Sequence, residues 1–176
     1  MKDFLRKIHL IEDLTIEILV SKNDFITAFK KNVDYSNLGF GNSLFEAFES
    51  SKNNYKGSIN NQSFKIRKRR KFFDTNRSYT VCEGIITEQI NGILLKAELV
   101  GFNKKWLFLV PLLFLFYTVF LFGFALIDDT PNFFVIFIVI HAMLMFGIPY
   151  FLIRNSIKST RYNLERDFHY WVSKMK

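Results

Sequence analysis

WLFLVPLLFLFYTVFLFGFALI, Trp106 to Ile127, contains no charged residue, and neither does FFVIFIVIHAMLMFGIPYFLI, Phe133 to Ile153. At about 1.5 Å per helical residue each run reaches roughly 30 Å, the thickness of a bilayer's hydrocarbon core. Both exceed the roughly 10–14 residues of a buried helix in a soluble core. They are read as two spanning helices. Between them Asp128-Asp129-Thr130-Pro131-Asn132 is polar, too short for a domain and carries a turn-forming proline. Residues 106–153 are therefore expected to form an antiparallel transmembrane hairpin, with spans 106–127 and 133–153 and an outside turn at 128–132.

Outward from the hairpin, charge sets orientation. Lys104 and Lys105 precede the first span, and Arg154, Lys158 and Arg161 follow the second, whereas the turn has no Lys or Arg. Basic residues near span ends resist translocation, which places both chain ends in the cytoplasm of an inner-membrane, multi-pass protein, with Trp106 and Tyr150 as interfacial anchors. The net charge of +8 divides as +6 before the hairpin, −2 in its turn and +4 after it. The base-rich parts thus lie where anionic lipid attracts them. Charge alone does not select nucleic acid, which is disfavoured as a partner.

Pro111 and Pro149 fall at similar depth near the cytoplasmic ends of the two runs. Neighbouring helices or water satisfy the carbonyls such prolines free. His141 is the one ionisable side chain deep in the hairpin. Intramembrane ionisable groups are functional candidates, but without a second Asp, Glu or His there is no relay, so His141 is read as an intramembrane polar contact for packing or assembly. Gly123, Ala125, Ala142 and Gly147 permit close helix approach without forming a GxxxG pattern.

The segment 1–105 is expected to be one cytoplasmic α+β domain. Met1 to Val20 contains Asp3, Glu12, Asp13 and Glu17, so it is no cleavable signal peptide. Met1 to Asp13 allows either a short amphipathic helix or a strand. Leu14, Ile16, Ile18 and Val20 alternate as in a half-buried strand. Ser21 then reads as a helix N-cap with Asp24 three positions on, and Phe25, Phe29 and Val33 as the helix's buried stripe. Asp34 to Gly41 reads as loop, with a short helix after Asn42 or Ser43 presenting Leu44, Phe45 and Phe48.

Four strands follow in the reading: Tyr55–Ile59 and Ser63–Lys71 around Asn60-Asn61-Gln62, then Tyr79–Gln89 and Ile93–Val100 around Asn91-Gly92, the strongest short-range hairpin signal in the chain. Asp74-Thr75-Asn76 reads as a turn, and Gly84 inside a strand marks a bulge or a close backbone approach. Cys82 is the one cysteine, which excludes an intramolecular disulfide and suits a small buried thiol. Residues 154–176 are expected as an amphipathic helix whose stripe of Leu164, Phe168, Trp171, Val172 and Met175 docks on the sheet. The alternative is a helix lying in the headgroup layer.

KIRKRRK, Lys65 to Lys71, is the sharpest feature of the soluble part. Strand periodicity puts Lys65, Arg67, Arg69 and Lys71 on one face. That face is read as a contact for anionic lipid or another anionic partner, or as a solvated sheet face.

The order of strand, helix and strands carrying YKGSI, FKIRKR, EGIITE and NGILLKAEL, then a two-span hairpin and a last helix, resembles small uncharacterised bacterial membrane proteins. Gly57, Phe64-Lys65-Ile66-x-Arg, Gly84-Ile85 and the Asn-Gly turn carry the likeness, which implies an architecture and a bacterial membrane home. The succession also looks like a helix-grip fold, an antiparallel sheet with covering helices, interrupted by the hairpin.

Catalytic constellations are missing. His9, His141 and His169 lie in separate segments without acidic or cysteine ligands at metal spacing, and there is no Walker loop, Rossmann glycine run or nucleophile elbow. No metal or cofactor is expected. The expected function is non-enzymatic: a membrane-anchored binding or regulatory module in contact with lipid. The alternative is an accessory subunit, docking through the hairpin into a larger transporter or channel, or a homo-oligomer.

Overall fold

A computed structural model describes residues 1–36, 38, 52–69, 80–101, 106–127 and 131–174. They form two compact units, Met1–Gly101 with Ile153–Lys176, and Phe102–Leu152. The expected helix from Asn42 or Ser43 through Phe48, the turn at Asp74–Asn76, Lys71, Lys104, Lys105, Asp128, Asp129 and Met175 lie outside the described residues.

The first unit is α+β. It contains α1 (Lys2–Lys7), β1 (Ile11–Ile18), α2 (Lys22–Asn32), β2 (Val33–Tyr35), β3 (Tyr55–Ile59), β4 (Ser63–Lys68), β5 (Val81–Gln89) and β6 (Gly92–Val100). The last part of α4 (Asn132–Ser173) completes it. The strands make one six-stranded mixed sheet in the order β1-β6-β5-β4-β3-β2.

Local chemistry explains several elements. The Asp24 N–H donates to Ser21 Oγ at 3.2 Å, capping the first turn of α2, and Ser21 Oγ donates to the Asp24 carboxylate at 2.7 Å, which holds the capping hydroxyl in place. In the β3–β4 turn Asn60 Oδ1 accepts from the Gln62 and Ser63 N–H groups at 2.9 and 2.6 Å, an Asx-type closure. The β5–β6 hairpin turns through Ile90 and Asn91, with Gln89 opposite Gly92. Gly84 marks a close approach, since a Cβ there would stand 2.6 Å from Ala97 Cβ and 2.7 Å from the Phe64 ring. The register runs through it without an extra residue, so there is no bulge.

Two expectations are corrected. The sheet is not wholly antiparallel, because β2 pairs parallel to β3. Val33 is not the last residue of the helical stripe but an extended residue, φ −125° and ψ 124°, that opens β2. A three-residue strand paired with a segment 22 residues later leaves no local periodicity to read.

The core lies on one face of the sheet. Leu14, Ile16 and Ile18 of β1, Ile66 of β4, Cys82 of β5, and Ile93, Leu95 and Leu99 of β6 are buried there. Phe25 and Phe29 of α2 and Phe168 and Trp171 of α4 cover them. Phe168 is the hub, with ring centroids 5.5 Å from Phe25, 5.8 Å from Phe64 and 5.3 Å from Trp171. Each such buried Phe contributes about 1.5–3 kcal/mol by leaving water, before the edge-on ring geometry is counted. The buried residues Ile153, Ser156, Ile157, Thr160, Leu164, Phe168 and Trp171 recur every three or four positions, so one continuous stripe of α4 faces the sheet. No break separates residues 154–173 from the preceding apolar run, because both belong to α4.

The second unit holds α3 (Trp106–Ala125) and the first part of α4, with Pro111 and Pro149 inside the helices. Among the described residues α4 is the one helix long and apolar enough to cross a membrane, and Phe108–Phe124 is a shorter apolar helix.

Candidate functional site

The sheet face opposite the aromatic core carries the exposed polar chemistry of the first unit. Register aligns Asp13, Glu98, Glu83, Lys65 and Ser58 in one cross-strand row over five strands, and Thr15, Lys96, Ile85 and Ser63 in the next. These rows floor an open depression of about 900 Å³ with Tyr35 and Ile59 at its margin.

Its carboxylates are held by cations from two sides. Lys2 donates to Glu98 at 2.9 Å, and Arg6 contacts both Glu98 and, at 3.3 Å, Asp13. The hydrogen bond from Lys2, with Arg6 close by, holds the Glu98 carboxyl below the usual carboxylate range. Thus α1, whose sequence allowed either helix or strand, caps one end of the open face. Lys65 pairs with Glu83 across the β4–β5 ladder at 2.5 Å. Lys96, exposed on β6 next to the edge strand, has no acidic partner among the described residues. The depression therefore offers an anion one uncommitted ammonium, a second ammonium shared with Glu83, and hydroxyls from Thr15 and Ser58.

Of the four basic positions of the Lys65–Lys71 run, the three described ones differ in exposure. Lys65 lines the depression. Arg67 is 9% exposed, and the Arg69 side chain only 4%, with its guanidinium 3.1 Å from Asp34. Asp34 also accepts from Asn53 Nδ2 at 2.8 Å. Arg69 is thereby withdrawn from solvent and from any lipid surface, because the edge strand β2 supplies it with a carboxylate. Lys71 lies outside the described residues.

Tyr55 and Asp167 form a further polar pair, which sequence reading missed. The Tyr55 hydroxyl donates to Asp167 Oδ2 at 2.6 Å, and its ring stands edge-on to Trp171 at 5.5 Å. Burial, reinforced by the adjoining carboxylate, raises the phenol well above its ordinary value. Only the docking of α4 brings these residues, 112 positions apart, together. Cys82 sits under the same sheet, where burial pushes its thiol up to about 12, so it is inert as a nucleophile.

In the second unit His141 Nδ1 lies 2.6 Å from the Tyr117 hydroxyl, and Tyr117 is 7% exposed. The bond joins α3 to α4. His141 also stacks on Phe137, with ring centroids 6.1 Å apart. Tyr117 was visible in sequence only as one more aromatic of an apolar run, with no spacing rule linking it to a residue on the next helix.

Among the described residues no group of three His, Cys, Asp or Glu side chains is arranged to hold a metal ion. The arrangement is that of a polar open face on an aromatic-cored α+β unit, with an apolar two-helix unit inserted between Gly101 and Ile153. No family model, curated protein or solved structure matches the chain.

Proposed function

We propose that the protein is a membrane-anchored, non-enzymatic binding module, with residues 102–152 as a two-span hairpin and the open sheet face as its ligand surface. The observation that carries this reading is the outward surface of the inserted unit. Phe108, Phe114 and Phe122 on α3, and Phe133, Ile136 and Met143 on α4, are each more than half exposed. Water does not tolerate so large an apolar patch on a soluble monomer, whereas a bilayer requires one.

Two further facts support the hairpin. A Cβ on Gly101 would stand 2.7 Å from Ile153 Cγ2, so the chain re-enters the α+β unit where it left it. A segment that starts and ends at one place crosses a bilayer an even number of times, once through α3 and once back through α4. The basic residues flanking both junctions favour a cytoplasmic α+β unit. On the open face, Lys96 and Lys65 suit a ligand with an anionic group.

The test is cysteine labelling in intact bacterial cells, in a Cys82→Ser background with single cysteines at positions 60 and 129. Position 129 is expected to react with an impermeant maleimide from outside, and position 60 only after permeabilisation. Labelling of both positions from one side overturns the hairpin. A second reading, an accessory subunit that docks through its hairpin, is favoured by the exposure of His141 on the helix surface. Co-purification of a membrane partner that is lost on His141→Leu would select it.

A further inference from the structure

β1 ends the sheet, and its register reveals which of its backbone groups are unused. The Gly101 N–H donates to the Leu10 carbonyl at 3.2 Å, extending the β1–β6 ladder by one bonded pair. Bonded residues alternate in an antiparallel pair, so Glu12, Leu14, Ile16 and Ile18 turn their N–H and C=O groups to β6. Asp13, Thr15 and Glu17 turn theirs outward, and no backbone hydrogen bond reaches them from the described residues on that side. A groove of about 410 Å³ follows this edge, between Thr15–Glu17 of the strand and Tyr162, Arg166 and His169 of α4. The three helix positions share one stripe by their spacing of four and three.

An edge strand beside a helix is the geometry in which an extended peptide adds a strand, backbone bonds giving affinity and alternate side chains giving specificity. We propose that the outer edge of β1 and the adjoining stripe of α4 receive an extended basic segment of a partner protein as a seventh strand.

Charge selects this occupant. Asp13 and Glu17 project from the same face of β1, four residues apart; the Asp13 side chain is 67% exposed although Arg6 reaches one of its oxygens at 3.3 Å, and Glu17 is exposed. A second copy of β1, paired antiparallel about Thr15, would set Asp13 against Glu17 of the other chain twice. Directly opposed like charges destabilise a sheet, so self-pairing is disfavoured. Lys or Arg at positions i and i+4 of an incoming strand meet both carboxylates in either strand direction. The intervening side chains turn to the helix, where the Tyr162 ring is 67% exposed and Arg166 is already held by Asp167 at 2.8 Å. Small apolar residues suit those positions. The site extends the binding-module reading to the sheet edge, which shares Asp13 and Thr15 with the open face, and its test does not depend on membrane anchorage.

The experiment uses the full chain in detergent micelles and the fluorescein-labelled peptide Thr-Lys-Val-Thr-Val-Lys-Val, read by anisotropy. Saturable binding is expected, at least tenfold weaker when both lysines are replaced by Glu. Thr15→Pro removes an outward N–H that makes no ladder bond, a change edge strands tolerate, and should abolish binding. Backbone N-methylation of the peptide needs no change in the protein. Methylation at alternate residues in one phase should abolish binding, and in the other phase spare it, because only alternate amides face β1. Absence of saturable binding, or equal effects of the two methylation phases, overturns the proposal. Loss of anchorage with phase-dependent peptide binding intact would sink the hairpin reading alone.

Discussion

Tyr55→Phe tests whether the docking of α4 rests on a directed polar bond as well as on ring packing. The substitution deletes one hydroxyl and leaves the ring, 4% exposed, against Trp171. A hydrogen bond to a charged acceptor is worth about 1.5–3 kcal/mol. Asp167 keeps a second partner, Arg166 at 2.8 Å, so it is not left as an orphaned buried charge, and the lower end applies, about 1.5–2 kcal/mol. That is roughly a 10- to 30-fold loss in the folding constant. Urea unfolding of the full chain in micelles, followed by Trp171 fluorescence in a Trp106→Phe background, reads it directly. Tyr55→Ala, which also removes the ring, should cost about 3–5 kcal/mol. The pH dependence has a definite sign. An acid whose folded pKa is raised binds its proton more tightly in the folded state, so its contribution is fully present below about pH 10, the unfolded tyrosine value, and is lost as pH rises beyond it. Tyr55→Phe should therefore flatten the alkaline loss of stability. If Tyr55→Phe unfolds within about 0.5 kcal/mol of the parent, or keeps the same alkaline slope, the pair does not hold α4 in place.

Three further outcomes are expected. Asp34→Ala removes the carboxylate 3.1 Å from the buried Arg69 guanidinium and should destabilise the first unit by about 2–4 kcal/mol in the same urea assay, less than for a fully buried pair because Asp34 is 28% exposed. Cys82, its thiol pushed up to about 12, should resist iodoacetamide at pH 8 in the folded protein and react fully in denaturant, as mass spectrometry would show. Glu98 has a depressed folded pKa, so its contribution is present above the unfolded value of about 4.3 and lost as pH falls through the folded value. Lys2→Ala should reduce that acid-side loss by less than about 1 kcal/mol, since the pair is partly exposed.

The α+β class, the Ser21 cap, the two tight hairpins and the aromatic stripe of the last helix were legible in the sequence because each depends on residues within a few positions of one another. The alternation of Leu14, Ile16 and Ile18 marks a half-buried strand whatever lies across from it. The same local logic has a limit in the basic run. A period of two puts Lys65, Arg67 and Arg69 on one face, but it carries no information about Asp34, which arrives on a strand paired parallel from outside the hairpin. His141 stood out as the lone ionisable group of its run, while its bond to Tyr117 required two helices to be laid side by side.

What the residues determine unaided is what short-range sterics and solvent transfer govern: where helices start, where strands turn, and which stretches avoid water. Tertiary structure alone decided which charges are spent and which are offered. It buried Arg69 against Asp34, set Tyr55 on Asp167 across 112 positions, left Lys96 exposed on the open face and, among the described residues, left the outer edge of β1 without a neighbouring strand. The reason is that the strength of a charge or a hydrogen bond depends on burial and on a partner's position within a few ångströms, and both are properties of the packed chain.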